Sequence, residues 1–253
     1  GALIGSNLAT RWGSVGFFGP LSVHPGHWDG GVAHALLDPV MDCFARWRTT
    51  LAGLFTFAES AKHVHLYEKF GFQPRFLTSI MVKAPAAPAV PVSSATWSAV
   101  PAGERAEVRA ECAALLATLW LGLDLGVEMD AVEALGIGDT LLVRDGGRLA
   151  GIALCHVGAG SEAGGGACYV KFGAVAPGAG AARDFERLLD ACEAFAVARG
   201  LGSLVAGVST ARRGARRALV ARGFRTMFQG VAMHRHDVPG YSTPEAFAID
   251  DWR

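Results

Sequence analysis

The sequence predicts an α/β protein made of two related units, each a layer of strands flanked by helices. Three observations lead there. Short apolar stretches of strand length alternate with longer ones whose apolar residues recur at helical spacing. A Pro-, Ala- and Ser-rich stretch, "APAAPAVPVSSA" at 84–95, breaks that pattern and reads as a linker extended by its prolines. The landmarks on either side recur at one spacing. Adding 152 carries Val23 to Val175, Pro25 to Pro177, Leu36 and Leu37 to Leu188 and Leu189, Gly71 and Phe72 to Gly223 and Phe224, and Met81 to Met233. An ungapped offset over that length marks an internal repeat. The division is a first unit at 1–83, the linker at 84–95, and a second unit with a C-terminal tail at 96–253.

In the first unit, "GFFGPLSV" from Gly16 to Val23 reads as a buried strand. From Val32 to Trp47, residues Val32, Leu36, Leu37, Val40, Met41, Phe44 and Trp47 share one helical face. Pro39 falls inside that helix and predicts a bend or irregular first turns. Leu51 to Phe57 reads as a central strand, Ser60 to Phe70 as a helix stopped by Gly71, and Phe72 to Val82 as a returning strand. The second unit opens with helices over 103–120 and 127–135, then a hairpin from Thr140 to Arg144 and Leu149 to Val157 turning at "DGG". The earlier order then repeats, with a strand at Tyr169 to Ala176, a helix near Ala182 to Arg199, a strand at Ser203 to Val208, a helix at Arg212 to Arg222 and a strand from Phe224. The opening "GALIGSN" reads as internal to a fold, so the first unit lacks the front half that the second carries. A sheet edge exposed in that way requires cover, either from residues upstream or from a neighbour such as the second copy of a homodimer.

Composition excludes several classes. Apolar residues make up 51% of the chain, enough for packed cores and contrary to disorder. Lys plus Arg, at 23, equals Asp plus Glu, at 23, so no net field draws in nucleic acid or an anionic membrane. Even the basic run from Ala211 to Arg217 has no interleaved aromatics and reads as a solvated helix face. Five cysteines without metal-like pairing read as buried free thiols of a reducing compartment, which predicts a cytoplasmic protein without a metal. No apolar run reaches the ~20 residues a membrane-spanning helix requires.

The segment "VHPGHWDGGVAHALL", Val23 to Leu37, carries a strand over Pro25 and two glycines into an apolar helix. A helix N-terminus has about four N–H groups without intrahelical partners and roughly half a positive charge, and a diphosphate satisfies both. Gly30 and Gly31 let the backbone turn sharply and let phosphate oxygens come close. No Lys-Ser/Thr follows the glycines, and G-x-G-x-x-G is absent, so two familiar nucleotide loops are excluded.

With its preceding Leu21 and Ser22, this segment resembles the pyrophosphate-binding motif of the GNAT acetyltransferase superfamily, and "HLYEKFGF" is similar to that family's later helix-to-strand motif. The resemblance implies two GNAT-like units, each with a mixed, mostly antiparallel central sheet flanked by helices. It also implies acetyl-CoA as cosubstrate, transfer of acetyl to a primary amine of a small molecule by direct attack, and no nucleic-acid or membrane partner. Leu21 and Val23 would offer main-chain groups to the pantetheine arm. The amides of Trp28, Asp29, Gly30, Gly31, Val32 and Ala33 would hold the pyrophosphate. Trp28 stands where the family usually has Arg or Gln, a departure that leaves the backbone donors in place. Tyr67 occupies the position of the family's general acid, and Ser60 that of an Asn near the cofactor or simply an N-cap. No carboxylate lies on "GFFGPLSV"; Glu59, His24 and His27 are the candidates near the cleft for moving a proton.

At the same offset Gly31 maps to Arg183, Ala33 to Phe185, Tyr67 to Leu219 and Ser60 to Arg212. The second unit is therefore expected to keep the fold without acyl transfer, and to serve structure or acceptor positioning. The alternative for the whole chain is a catalytically silent acyl-CoA-binding sensor or interaction module. The tail "PGYSTPEAFAIDDWR" reads as packing over a unit or a partner chain, with no chemistry of its own.

Overall fold

The computed structural model describes residues 1–90 and 92–253; Pro91 of the expected linker lies outside the described residues. The first half contains β1 (Gly5–Ser6), β2 (Ala9–Trp12), β3 (Val15–Phe18), β4 (Ser22–Val23), α1 (Val32–Arg46), β5 (Leu51–Thr56), α2 (Ala61–Glu68) and β6 (Phe72–Lys83). The second contains β7 (Ser94–Thr96), α3 (Arg105–Ala117), α4 (Gly126–Leu135), β8 (Gly138–Asp145), β9 (Arg148–Gly158), β10 (Gly164–Val175), α5 (Ala181–Ala198), β11 (Ser203–Ser209), α6 (Arg213–Ala221), β12 (Arg225–Arg235) and β13 (Ala248–Ile249). The fold is the expected mixed α/β arrangement, a large sheet flanked by helices. One sheet runs through both halves in the order β2-β3-β5-β12-β6-β11-β10-β9-β8-β7, with β13 added beside β10.

Several expectations are corrected in detail. The strand expected from Gly16 to Val23 is two strands, because the chain leaves the sheet after Phe18 and β4 pairs with β1 instead. The first turns of the helix containing Pro39 are not irregular: α1 is continuous from Val32 to Arg46. Pro39 is exposed, so water can serve the carbonyl that its missing N–H leaves free. The end of the stretch read as linker forms β7, which pairs with β8. Within the basic run, Arg212 is only 1% exposed and pairs with buried Asp250 at 3.1 Å, so that run is not wholly a solvated face. The turn between β8 and β9 behaves as expected, with Gly146 and Gly147 both at positive φ, +55° and +86°, which glycine adopts without steric cost.

The repeat offset reappears in the strand pairing. Phe18 opposite Leu54 is the last pair of the parallel β3–β5 ladder, and Val170 opposite Ala206 is the last pair of the parallel β10–β11 ladder. These residues differ by 152 in each case. The returning strands are exchanged between the halves. β12 pairs with β5, placing Met233 opposite Leu54, and β6 pairs with β11, placing Met81 opposite Ala206. Met81 is accordingly buried in the cluster under α5 and α6, with Phe185, Leu188 and Phe224. Met233 is buried in the cluster under α1 and α2, with Phe18, Leu37, Leu54 and Phe72. Burying each such side chain is worth ~1.5–3 kcal/mol, so the exchange ties the halves together through both cores.

A third cluster gathers Trp12, Phe17, Leu116, Met129, Phe172 and Trp252 beneath α3, α4 and the tail. The other half of the chain meets the β2–β3 turn, where the Ser14 N–H donates to the Gly122 carbonyl at 2.8 Å, while β2 remains the terminal strand of the sheet.

His234, on β12 at 1% exposed, has its ring 4.8 Å from Trp252 and its Nδ1 2.7 Å from the Val238 carbonyl. Burial pushes its pKa down to about 4, so the folded protein holds it neutral with Nδ1–H donating to that carbonyl. The unfolded chain takes up the proton first as pH falls. Stability from this group is therefore complete above pH ~6.5 and drains away toward pH ~4, a loss of about 3 kcal/mol. Urea unfolding of the wild type and His234→Gln between pH 7 and pH 4 should show that increment in the wild type alone.

Candidate functional site

Beyond the Phe18–Leu54 pair, β4 and β5 diverge, and a cleft of about 800 Å³ opens between β4, the start of α1 and one side of α2. Its β4 wall presents main-chain groups. The His24 N–H donates to the Ile4 carbonyl at 2.8 Å, toward β1. Backbone groups alternate along a strand, so those of Val23 face the opposite way, into the cleft, and the pleat puts Leu21 on the same side. The Val23 carbonyl accepts the Trp28 indole N–H at 2.9 Å, and its own N–H remains directed at the cleft.

Gly31 caps α1 at φ +79°, a left-handed conformation that costs glycine little, and no side chain caps the helix. A Cβ added at Gly31 would meet nothing within 4 Å, so the backbone is bare toward the cleft. Asp29 also has positive φ, +61°. Among the described residues, none accepts a hydrogen bond from the N–H groups of Asp29, Gly30, Gly31, Val32 or Ala33. Trp28 is a correction. Its N–H already donates to the Pro25 carbonyl at 3.2 Å, closing a short 3-10 turn, so the free run begins one residue later than expected.

The lining is rich in cationic and titratable nitrogen. Lys62, Lys69, His27, His34, His63 and His65 face the cleft, against one carboxylate, Asp29. Lys62 reaches Asp29 across the mouth at 2.5 Å, with both side chains largely exposed. Such a pair is worth ~0–1 kcal/mol and gives way easily to a stronger anion. With the partial positive charge of the α1 N-terminus, the cleft is suited to a phosphorylated ligand. The α2 residues were not anticipated from the sequence, although Lys62, Leu66 and Lys69 stand at the i, i+4, i+7 spacing that puts them on one side of a helix.

Leu21, Val23, Trp28, Asp29, Gly31, Val32, Ala33 and Ser60 all border this cleft. Gly30 does not, although its N–H belongs to the free run. Ser60 stands at the N-cap position of α2 without capping it; its hydroxyl pairs with His63 Nδ1 at 2.9 Å. His24 is engaged as a local cap, Nδ1 accepting the Gly26 N–H at 3.1 Å. Glu59 is exposed and outside the lining, so the cleft does not bring it to bear. Tyr67 lies beneath the cleft, 7% exposed, its ring 5.5 Å from Phe18 and 6.5 Å from His63. Burial raises its pKa, so the phenol is protonated at neutral pH.

Among the described residues, no group of three or more His, Cys, Asp or Glu side chains could hold a metal ion, and no helix is long and apolar enough to cross a membrane. The five cysteines are unpaired, four of them buried.

Residues 1–72 match the model of the acetyltransferase (GNAT) family. A provisionally assigned acetyltransferase from Pyrococcus horikoshii shares the architecture with a TM-score of 0.65 at 13% identity, over 98% of this chain and 75% of its own. A GCN5-related N-acetyltransferase from Sphaerobacter thermophilus gives 0.55 at 18% identity, over 94% and 78%. A tandem GNAT protein from the clavulanic acid biosynthesis pathway gives 0.58 at 15%, over 91% and 78%. At these identities the likeness is one of fold. No curated protein matches the chain.

Proposed function

We propose, from the match of residues 1–72 to the model of the acetyltransferase (GNAT) family, that the chain is an acyl-CoA-dependent N-acyltransferase that moves acetyl from acetyl-CoA to a primary amine of a small molecule. The observation that carries this reading is the run of five free N–H groups, Asp29 to Ala33, at the mouth of a cleft whose other wall is a strand that turns the Val23 N–H toward it. The first suits a diphosphate and the second an extended amide-bearing arm.

Acetyl-CoA supplies an activated acyl group. The residues of the chain do the rest. Amides of Asp29 to Ala33, with Lys62 released from Asp29, hold the pyrophosphate. Leu21 and Val23 align the pantetheine arm as an added strand, and a main-chain N–H near Leu21 stabilises negative charge on the carbonyl oxygen as the neutral amine attacks. The C–N bond forms as the C–S bond breaks, Tyr67 gives its phenolic proton to the departing sulfur, and the proton that the amine nitrogen loses passes through water to restore the phenol.

A silent acyl-CoA-binding module is the second reading. Two observations favour it: the one carboxylate lining the cleft is paired with Lys62, and Tyr67 sits under the cleft rather than in its wall. Melting with saturating acetyl-CoA, then thiol release across a panel of primary amines, separates the readings. At a hundred times its Kd the ligand should stabilise the protein by about 2.7 kcal/mol. A shift in Tm with thiol release for at least one amine supports the transferase; a shift with none supports the module; no shift removes both.

A further inference from the structure

The second half contains the counterpart of the cleft, and it is filled. β10 and β11 part after Val170 and Ala206, at the positions equivalent to those where β3 and β5 part. The Ala176 N–H donates to the Ala150 carbonyl, as the N–H of its equivalent, His24, donates to that of Ile4. Gly173 and Val175, the equivalents of Leu21 and Val23, therefore turn their main-chain groups away from β9 and into the gap. There they meet the tail. β13 runs antiparallel along them, Ile249 opposite Gly173 and Ala248 opposite Ala174, and the Val175 N–H donates to the Phe247 carbonyl at 3.2 Å.

Side chains of the tail fill the remaining space. The Phe247 ring lies 5.4 Å from that of Phe185, which replaces Ala33. It also covers Gly214, the counterpart of Lys62, so closely that a Cβ there would come within 2.6 Å of the ring. Asp250 pairs at 3.1 Å with buried Arg212, which replaces Ser60. Three replacements at the equivalent positions thus contribute to the seat of this segment: Phe185 gives Phe247 a ring to pack on, Gly214 leaves room beneath it, and Arg212 is a buried cation for Asp250.

We infer that the tail segment Phe247–Ile249 is the resident ligand of the second cleft, paired with the main-chain groups that correspond to those the first cleft leaves free, so that one chain holds one acyl-CoA. Naming acyl-CoA here rests on the proposed function; the seating of the tail does not. The same segment leads Trp252 over Gly53 of β5, where a Cβ would come within 2.0 Å of the indole, so the filled cleft also anchors the strand that borders the open one.

Amide hydrogen exchange and calorimetric titration of the full chain with acetyl-CoA test this. The amides of Gly173 and Val175 should exchange at least a hundredfold slower than in an unstructured chain, with or without acetyl-CoA, while those of Asp29 to Ala33 gain protection only when it is added. Titration should give one equivalent per chain. Two equivalents, or acetyl-CoA-dependent protection at Val175, overturns the inference, as does unprotected Val175 in the free protein. If no acetyl-CoA binds, the proposed function falls, while slow exchange at Val175 still upholds the seating of the tail and fast exchange refutes it. Phe247→Ala should speed exchange at Val175 at least tenfold and leave Leu204 to Ala206 unchanged; an unchanged rate at Val175 removes Phe247 as the anchor. Should the variant unfold, exchange rises at Leu204 to Ala206 as well, and the wild-type measurements decide.

Discussion

Gly31→Arg should abolish acetyl-CoA binding while leaving a folded protein. Gly31 is the N-cap of α1 at φ +79°, and the space in front of its Cα is open to the cleft. A side chain at that position projects where the phosphates would approach, and its guanidinium would take the place of the backbone donors rather than add to them. Left-handed backbone costs a residue with a Cβ ~1–2 kcal/mol, so some loss of stability is expected in any variant here. Gly31→Ala carries that cost with little bulk and provides the control. In thermal melts the alanine variant should keep a Tm shift with acetyl-CoA and the arginine variant should show none. A full shift in Gly31→Arg would mean that the ligand sits elsewhere.

Tyr67→Phe should lower turnover by about 10²-fold or more and alter the Kd for acetyl-CoA little, since proton delivery by a positioned acid contributes ~10²–10⁴-fold. The separation of the two effects is the informative part. Among the described residues the Tyr67 side chain makes no hydrogen bond, and the ring packs against Phe18, so phenylalanine preserves the packing and removes only the proton. Steady-state kinetics with the best amine, alongside calorimetric Kd values, provide the comparison. Normal turnover in Tyr67→Phe would show that another group, or water, protonates the sulfur.

The individual elements were legible in the sequence because each rests on local physics. The apolar period of Val32 to Trp47, the glycine stop at Gly71 and the "DGG" turn act within a few residues of themselves. The helix mouth was legible for the same reason, since Pro25, Gly30 and Gly31 lie next to one another. Errors arose where a backbone group found a partner that composition does not reveal. The amide of Trp28 went to Pro25, and the strand that begins "GFFG" parted from β5 after Phe18. The lysines and histidines of α2 escaped notice because their relevance depends on which side of that helix faces α1.

The offset of 152 residues, the turn at Gly31 and the loss of Tyr67 and Gly31 equivalents in the second unit are properties of the sequence alone. They are enough to describe one promising cleft and a second half that lacks the same residues at the matching positions. Tertiary structure decided what occupies those positions. Hydrogen bonding between strands distant in the chain exchanged β6 and β12 between the halves, and brought Ala248 and Ile249 beside Gly173 and Ala174. Nothing local in "EAFAIDDWR" specifies that partner. A strand edge pairs with whatever extended backbone the rest of the fold delivers to it, and only the assembled sheet determines which edges are left open and which segment can reach them.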